Sequence, residues 1–202
     1  MKERGIIFNS EMVRAILDGR KTQTRRIMKP QPKTNENGDI WWPSNICQSM
    51  INIKEMMQDN EGVWAGIAGI SCPHGGVVDH LWVRETFKAG VCTESTIAYK
   101  ATHKPSDLEE GWYEEIKWTP SIHMPRWASR ITLEIVDVRV ERLKDAGDTE
   151  FKAEGYPLDR ELTGGSMDPF CWFRNLWDSV SPTNFKYADN PWVWVIEFRK
   201  VD

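Results

Sequence analysis

The segment Ile131-Thr132-Leu133-Glu134-Ile135-Val136-Asp137-Val138-Arg139-Val140-Glu141-Arg142-Leu143 constrains the fold more than any other part of the chain. Apolar and polar residues alternate at both of its ends, the period of a strand with one buried face. The alternation breaks at Ile135-Val136, where a β-bulge would absorb one extra residue and bend the strand. A strand this long crosses a barrel. Gly5-Ile6-Ile7-Phe8, Leu81 to Phe87 and Trp192 to Phe198 read as further strands, and Ile97 to Lys100 as a weaker one. Between them lie three helical patterns, at Glu11 to Asp18, Asp148 to Ala153 and Pro169 to Val180. In the first, Met12, Val13, Ile16 and Leu17 share a face, Asn9 or Ser10 supplies the N-cap, and Gly19 ends the helix. In the last, Phe170, Phe173, Leu176 and Trp177 recur at helical spacing. The expected fold is mixed α/β and β-rich, a barrel with helices inserted between its strands.

The 202 residues suit one domain spanning 1–202, with insertions at about 30–76 and 100–125 where the periodicity weakens. Prolines at 30, 32 and 43 and the turn-like Asn35-Glu36-Asn37-Gly38-Asp39 mark the first insertion as irregular with a few short strands. No apolar run approaches the roughly 20 residues that cross a bilayer, and Met1 to Gly5 leads into a strand with no signal-peptide core, so the expected location is the cytoplasm. The cysteines Cys47, Cys72, Cys92 and Cys171 are scattered and expected as free thiols. Cys72-Pro73-His74 has no second Cys/His pair to complete a zinc site, so a turn is the better reading and neither metal nor cofactor is expected.

A net charge of −4 argues against coating nucleic acid through overall electrostatics. The charge is nonetheless uneven. Arg14, Arg20, Lys21, Arg25, Arg26 and Lys29 crowd one stretch, while Glu109, Glu110, Glu114 and Glu115 form an acidic region elsewhere. An anionic partner, RNA or another single-stranded nucleic acid included, is expected at the N-terminal part. Arg20 to Arg26 follow a helix end and are candidates to line a pocket.

Three stretches in this order resemble the ASCH family of the PUA-like superfamily, and most closely its longer members from phage and prophage genomes. They are Met12-Val13-Arg14-Ala15-Ile16-Leu17-Asp18-Gly19-Arg20-Lys21-Thr22-Gln23-Thr24-Arg25-Arg26, then Asp79-His80-Leu81-Trp82-Val83-Arg84-Glu85-Thr86, then Ala153-Glu154-Gly155. The resemblance implies a PUA-like barrel with a cleft beside the first helix and a nucleobase, modified nucleoside or RNA as ligand. Short members of the superfamily are amidohydrolases that remove the acyl group from N4-acetylcytidine. Their Gly-x-Lys-x-x-Thr arrangement and later glutamate carry over to Lys21, Thr24 and Glu154. Other members are RNA-binding modules, so the fold implies the ligand class more firmly than the reaction.

On that implication Thr24 is the nucleophile, Lys21 the base and Glu154 the acid that protonates the leaving nitrogen. Cationic neighbours and burial lower a lysine pKa, and Arg20, Arg25 and Arg26 are such neighbours. The same residues also suit a non-catalytic reader: Lys21 and Arg25 on phosphate, Thr24 in a local hydrogen bond. A scaffold for phage assembly or host interaction is the third alternative. Trp82 and Arg84 are expected on the cleft wall, stacking on a base or bonding its edge, with core packing as the alternative for Trp82. Arg126 is a further candidate for binding.

Overall fold

The computed structural model describes residues 1–58, 67–91, 96–107 and 115–201. In chain order the strands and helices are β1 (Glu3–Ile7), α1 (Ser10–Leu17), β2 (Gln23–Ile27), β3 (Lys33–Thr34), β4 (Ile40–Ser44), β5 (Ser49–Asn52), α2 (Ile53–Gln58) and α3 (Ile67–Ser71). They continue with β6 (His80–Arg84), β7 (Phe87–Ala89), β8 (Ile97–Tyr99), β9 (Thr132–Arg142), α4 (Asp148–Ala153), α5 (Leu158–Thr163), α6 (Asp168–Val180) and β10 (Trp192–Val201). Cys92 and the acidic residues Glu109, Glu110 and Glu114 lie outside the described residues.

Mixed α/β architecture is as expected; a closed barrel is not what forms. Five strands make one sheet in the order β1-β6-β9-β10-β2, with β1 and β2 at its two edges, and the sheets do not close into a barrel. The reason lies at the seam. There the contact between edges comes from a side chain, Arg26 donating to the Ile7 carbonyl at 2.8 Å, where a ladder would need paired backbones. The chain between the two edges is taken up by α1, whose buried residues Val13, Ala15 and Ile16 hold it against the sheet.

The central strand behaves as its pattern requires. Glu197 pairs with Asp137 but Phe198 pairs with Ile135, so Val136 is the extra, bulged residue, and it is exposed while Leu133, Ile135, Val138 and Val140 are buried. Without the bulge one half of the strand would turn its apolar side chains to solvent. The segment from Leu81 to Phe87 divides: β6 ends at Arg84, and Phe87 opens a separate two-stranded sheet of β7 and β8. The first insertion is not a free-standing appendage. β3, β4 and β5 form their own sheet, yet Trp42, Ile51 and Ile53 join the main core, Trp42 meeting Trp194 edge-on at 5.3 Å. On the opposite face Val193 and Val195 pack with Phe151, Phe173 and Trp177, which seats α4 and α6 on the sheet.

Candidate active site at the open edge of the sheet

The site begins with a helix end. Asn9 Oδ1 accepts from the Met12 amide at 2.8 Å and starts α1; Gly19, at φ 74°, turns the chain out of it. The amides of Arg20 and Lys21 then both donate to the Ala15 carbonyl, at 2.9 and 3.0 Å. Lys21 forms an isolated antiparallel bridge with Glu154, and the Thr22 amide donates to the Ala153 carbonyl at 2.9 Å. Glu154 caps α4, and Gly155 at φ 103° allows the close approach: a Cβ there would stand 2.9 Å from Ala15 Cβ and 3.2 Å from Lys21 Cβ. Backbone geometry thus brings together two segments far apart in the chain.

Their side chains meet in the interior. Lys21 Nζ donates to Glu154 Oε2 at 2.7 Å, to the Glu154 carbonyl at 2.9 Å and to the Gln23 carbonyl at 2.9 Å, which engages all three ammonium protons. Arg25 reaches the other carboxylate oxygen, Glu154 Oε1, at 3.2 Å, and Glu141 at 3.3 Å. Burial pushes the Lys21 ammonium below the ordinary lysine range, with the Glu154 carboxylate opposing that shift and Arg26 and Arg25 adding to it. Burial also lowers the Arg26 guanidinium, again against Glu154. Lys21 and Arg26 both lie over the Phe8 ring, at 5.6 and 5.2 Å.

A cavity of about 270 Å³ opens beside this cluster, just below the roughly 300–1,000 Å³ common for small-ligand sites. Thr24, Arg25, Arg26, Glu154 and Asn9 supply its polar wall; Ile7, Met12, Phe173, Leu176, Trp177 and Val180 supply the apolar one. Lys21 does not reach this wall: its side chain is sealed behind Glu154. A second cavity of about 430 Å³ shares Met12, Glu154 and Leu176 with the first and is more polar, with Glu11, Arg14, Asp18, Arg20, Asp159 and Arg160 among its lining.

The remaining expected residues divide. Arg20 lines the second cavity and is held by the carbonyls of Gly155 and Tyr156 and by Asp18. Trp82 and Arg84 line neither cavity. Their strand β6 lies on the far side of β1, Trp82 packs over Gly5, and Arg84 bonds the Ile122 carbonyl and covers the Trp82 ring. Arg126 pairs with Glu3 at 3.0 Å, also away from both cavities. The basic stretch is folded inward only in part: Lys21 and Arg25 are buried, Arg20 and Arg26 half-buried, while Lys29 and Arg14, which donates to the Ala101 carbonyl at 3.0 Å, are exposed. The apolar wall from α6 was not among the expected site residues; the spacing of Phe173, Leu176 and Trp177 marks a buried helix face but not what that face borders.

No group of three or more His, Cys, Asp or Glu among the described residues is arranged to hold a metal ion. Cys47, Cys72 and Cys171 are free, and burial pushes the Cys72 thiol up to about 11. No helix among the described residues is long and apolar enough to cross a membrane. The chain matches no family model, no curated protein and no solved structure.

Proposed function

We propose that the chain is an ASCH-like, PUA-like protein that binds a modified nucleoside at the cavity beside α1 and hydrolyses the amide of N4-acylated cytidine. The observation that carries this reading is the convergence of Lys21 and Glu154, 133 residues apart, into a buried pair whose carboxylate borders the same cavity as Thr24. Local structure alone does not bring such residues together. Amide hydrolysis needs a nucleophile, a proton carrier and donors for the developing oxyanion, and the wall supplies a hydroxyl, a carboxylate and two guanidinium groups.

In this reading the Thr24 hydroxyl attacks the acyl carbon and its proton enters the Lys21–Glu154 pair at the carboxylate, the member that faces the cavity. Collapse of the tetrahedral intermediate breaks the bond to N4, which takes the proton back, and releases cytidine. Water then cleaves the threonine ester to give a carboxylic acid. The acyl group fits the apolar cavity and the sugar the polar one, with Glu154 between them. Lys21 and Arg25 are buried and ion-paired, which favours a small ligand over a polynucleotide at this cavity, because buried and paired cations release few phosphate counterions.

The test is incubation of the purified protein with N4-acetylcytidine, followed by chromatography. Cytidine release well above that of a Lys21→Ala control supports the proposal; equal release, across several acyl groups, sinks it.

A further inference from the structure

Inside the first cavity positive charge outnumbers negative. Arg25 and Arg26 line it against one carboxylate, Glu154, which is already neutralised by the buried Lys21 behind it. Arg25 has a second partner in Glu141, whose other oxygen turns to Arg139 at the solvent side with Asp137 and Glu197. Arg26 forms no ion pair among the described residues: its guanidinium donates to the neutral Ile7 carbonyl. The Nε atoms of both Arg25 and Arg26 are shielded from water and have no hydrogen-bond partner, and the Arg25 side chain is fully buried. The opposite wall is a row of apolar side chains from α6: Phe173, Leu176, Trp177 and Val180.

From this we infer that the cavity is a binding site for an apolar monocarboxylate, with its carboxylate on the Arg25–Arg26 side and its aryl or alkyl body against α6. The inference goes beyond the proposed hydrolysis. Such an acid is the group that deacylation releases, yet binding it requires no turnover, and a charged product held here acts as an inhibitor.

Titration calorimetry at pH 7 with benzoate, its neutral isostere benzamide and acetate decides the matter. Benzoate is expected to bind saturably, and benzamide and acetate at least about tenfold more weakly, a discrimination of about 1.4 kcal/mol. Arg26→Gln removes the preference for benzoate over benzamide. Because Arg26 also ties β2 to Ile7, a second variant guards against misfolding: Val180→Phe, at an exposed position, fills the mouth of the cavity and weakens benzoate while leaving the circular dichroism spectrum unchanged. Equal binding of benzoate and benzamide, acetate as tight as benzoate, or no benzoate binding to folded protein overturns the inference. Cytidine release from N4-acetylcytidine is measured separately, so failure of one proposal is not failure of the other.

Discussion

Lys21 Nζ and Glu154 Oε2 stand 2.7 Å apart with side chains 0% and 5% exposed, and Arg25 holds the other oxygen of the same carboxylate. The cluster couples the end of α1, the edge strand β2 and the end of α4. Removing one member leaves the others charged in a dry interior, so Lys21→Met is expected to cost about 3–5 kcal/mol of stability. Denaturant unfolding measures it. Combining Lys21→Met with Glu154→Leu is expected to cost less than the sum of the two single changes, since the double variant leaves no unpaired Glu154 carboxylate. Additive losses would show that the pair is not energetically coupled.

Gly155 occupies a left-handed conformation where a Cβ would press on Ala15 and Lys21. Gly155→Ala is therefore expected to destabilise by roughly 2–3 kcal/mol, from backbone strain and the forced separation of α1 from α4. Thermal unfolding checks it, with Gly90→Ala as a comparison: that glycine also has a positive φ, but nothing lies within 4 Å of its added Cβ, so its loss is expected to be the smaller.

His74 gives a pH dependence whose sign is fixed. Burial, helped by Arg26 and Arg4, lowers its pKa from 6.5 to about 4. Between those values the unfolded chain binds more protons than the folded one, so stability from this group is present above pH 6.5 and lost as pH falls towards 4. The loss is on the order of 3 kcal/mol. The difference between the wild type and His74→Gln, followed by urea unfolding from pH 7 to 4, isolates it from the carboxylates. An NMR titration placing the imidazole near 6.5 would contradict it.

Much of the frame was legible in the sequence, for reasons the residues make plain. The bulge at Val136 is written in the broken alternation, and the limits of α1 in Asn9 and Gly19, because pattern and capping are local physics. Barrel closure was not legible. It depends on whether β1 and β2 meet, and that is decided by α1 and the Arg26 side chain rather than by either strand's pattern. The strand pattern around Trp82 and Arg84 does not say whether they face a cleft or pack inward; the parallel pairing of β6 with β1 sets them away from both cavities. The meeting of Lys21 with Glu154 is implied by the family resemblance alone, since neither periodicity nor charge predicts a contact across the intervening chain. The α6 wall is not legible either, because a helix face packed on a core and one bordering a cavity share the same spacing.

Thr24 separates catalysis from binding most cleanly, because Thr24→Val keeps the side-chain shape while removing the hydroxyl. The decisive measurement is the initial rate of cytidine release from N4-acetylcytidine by wild type and Thr24→Val side by side, with unfolding curves for both. The account predicts turnover by the wild type and a fall of roughly 10³-fold or more in the variant, at a stability cost of only about 1 kcal/mol. Equal rates in the two proteins, or no release by a folded wild type, would contradict it.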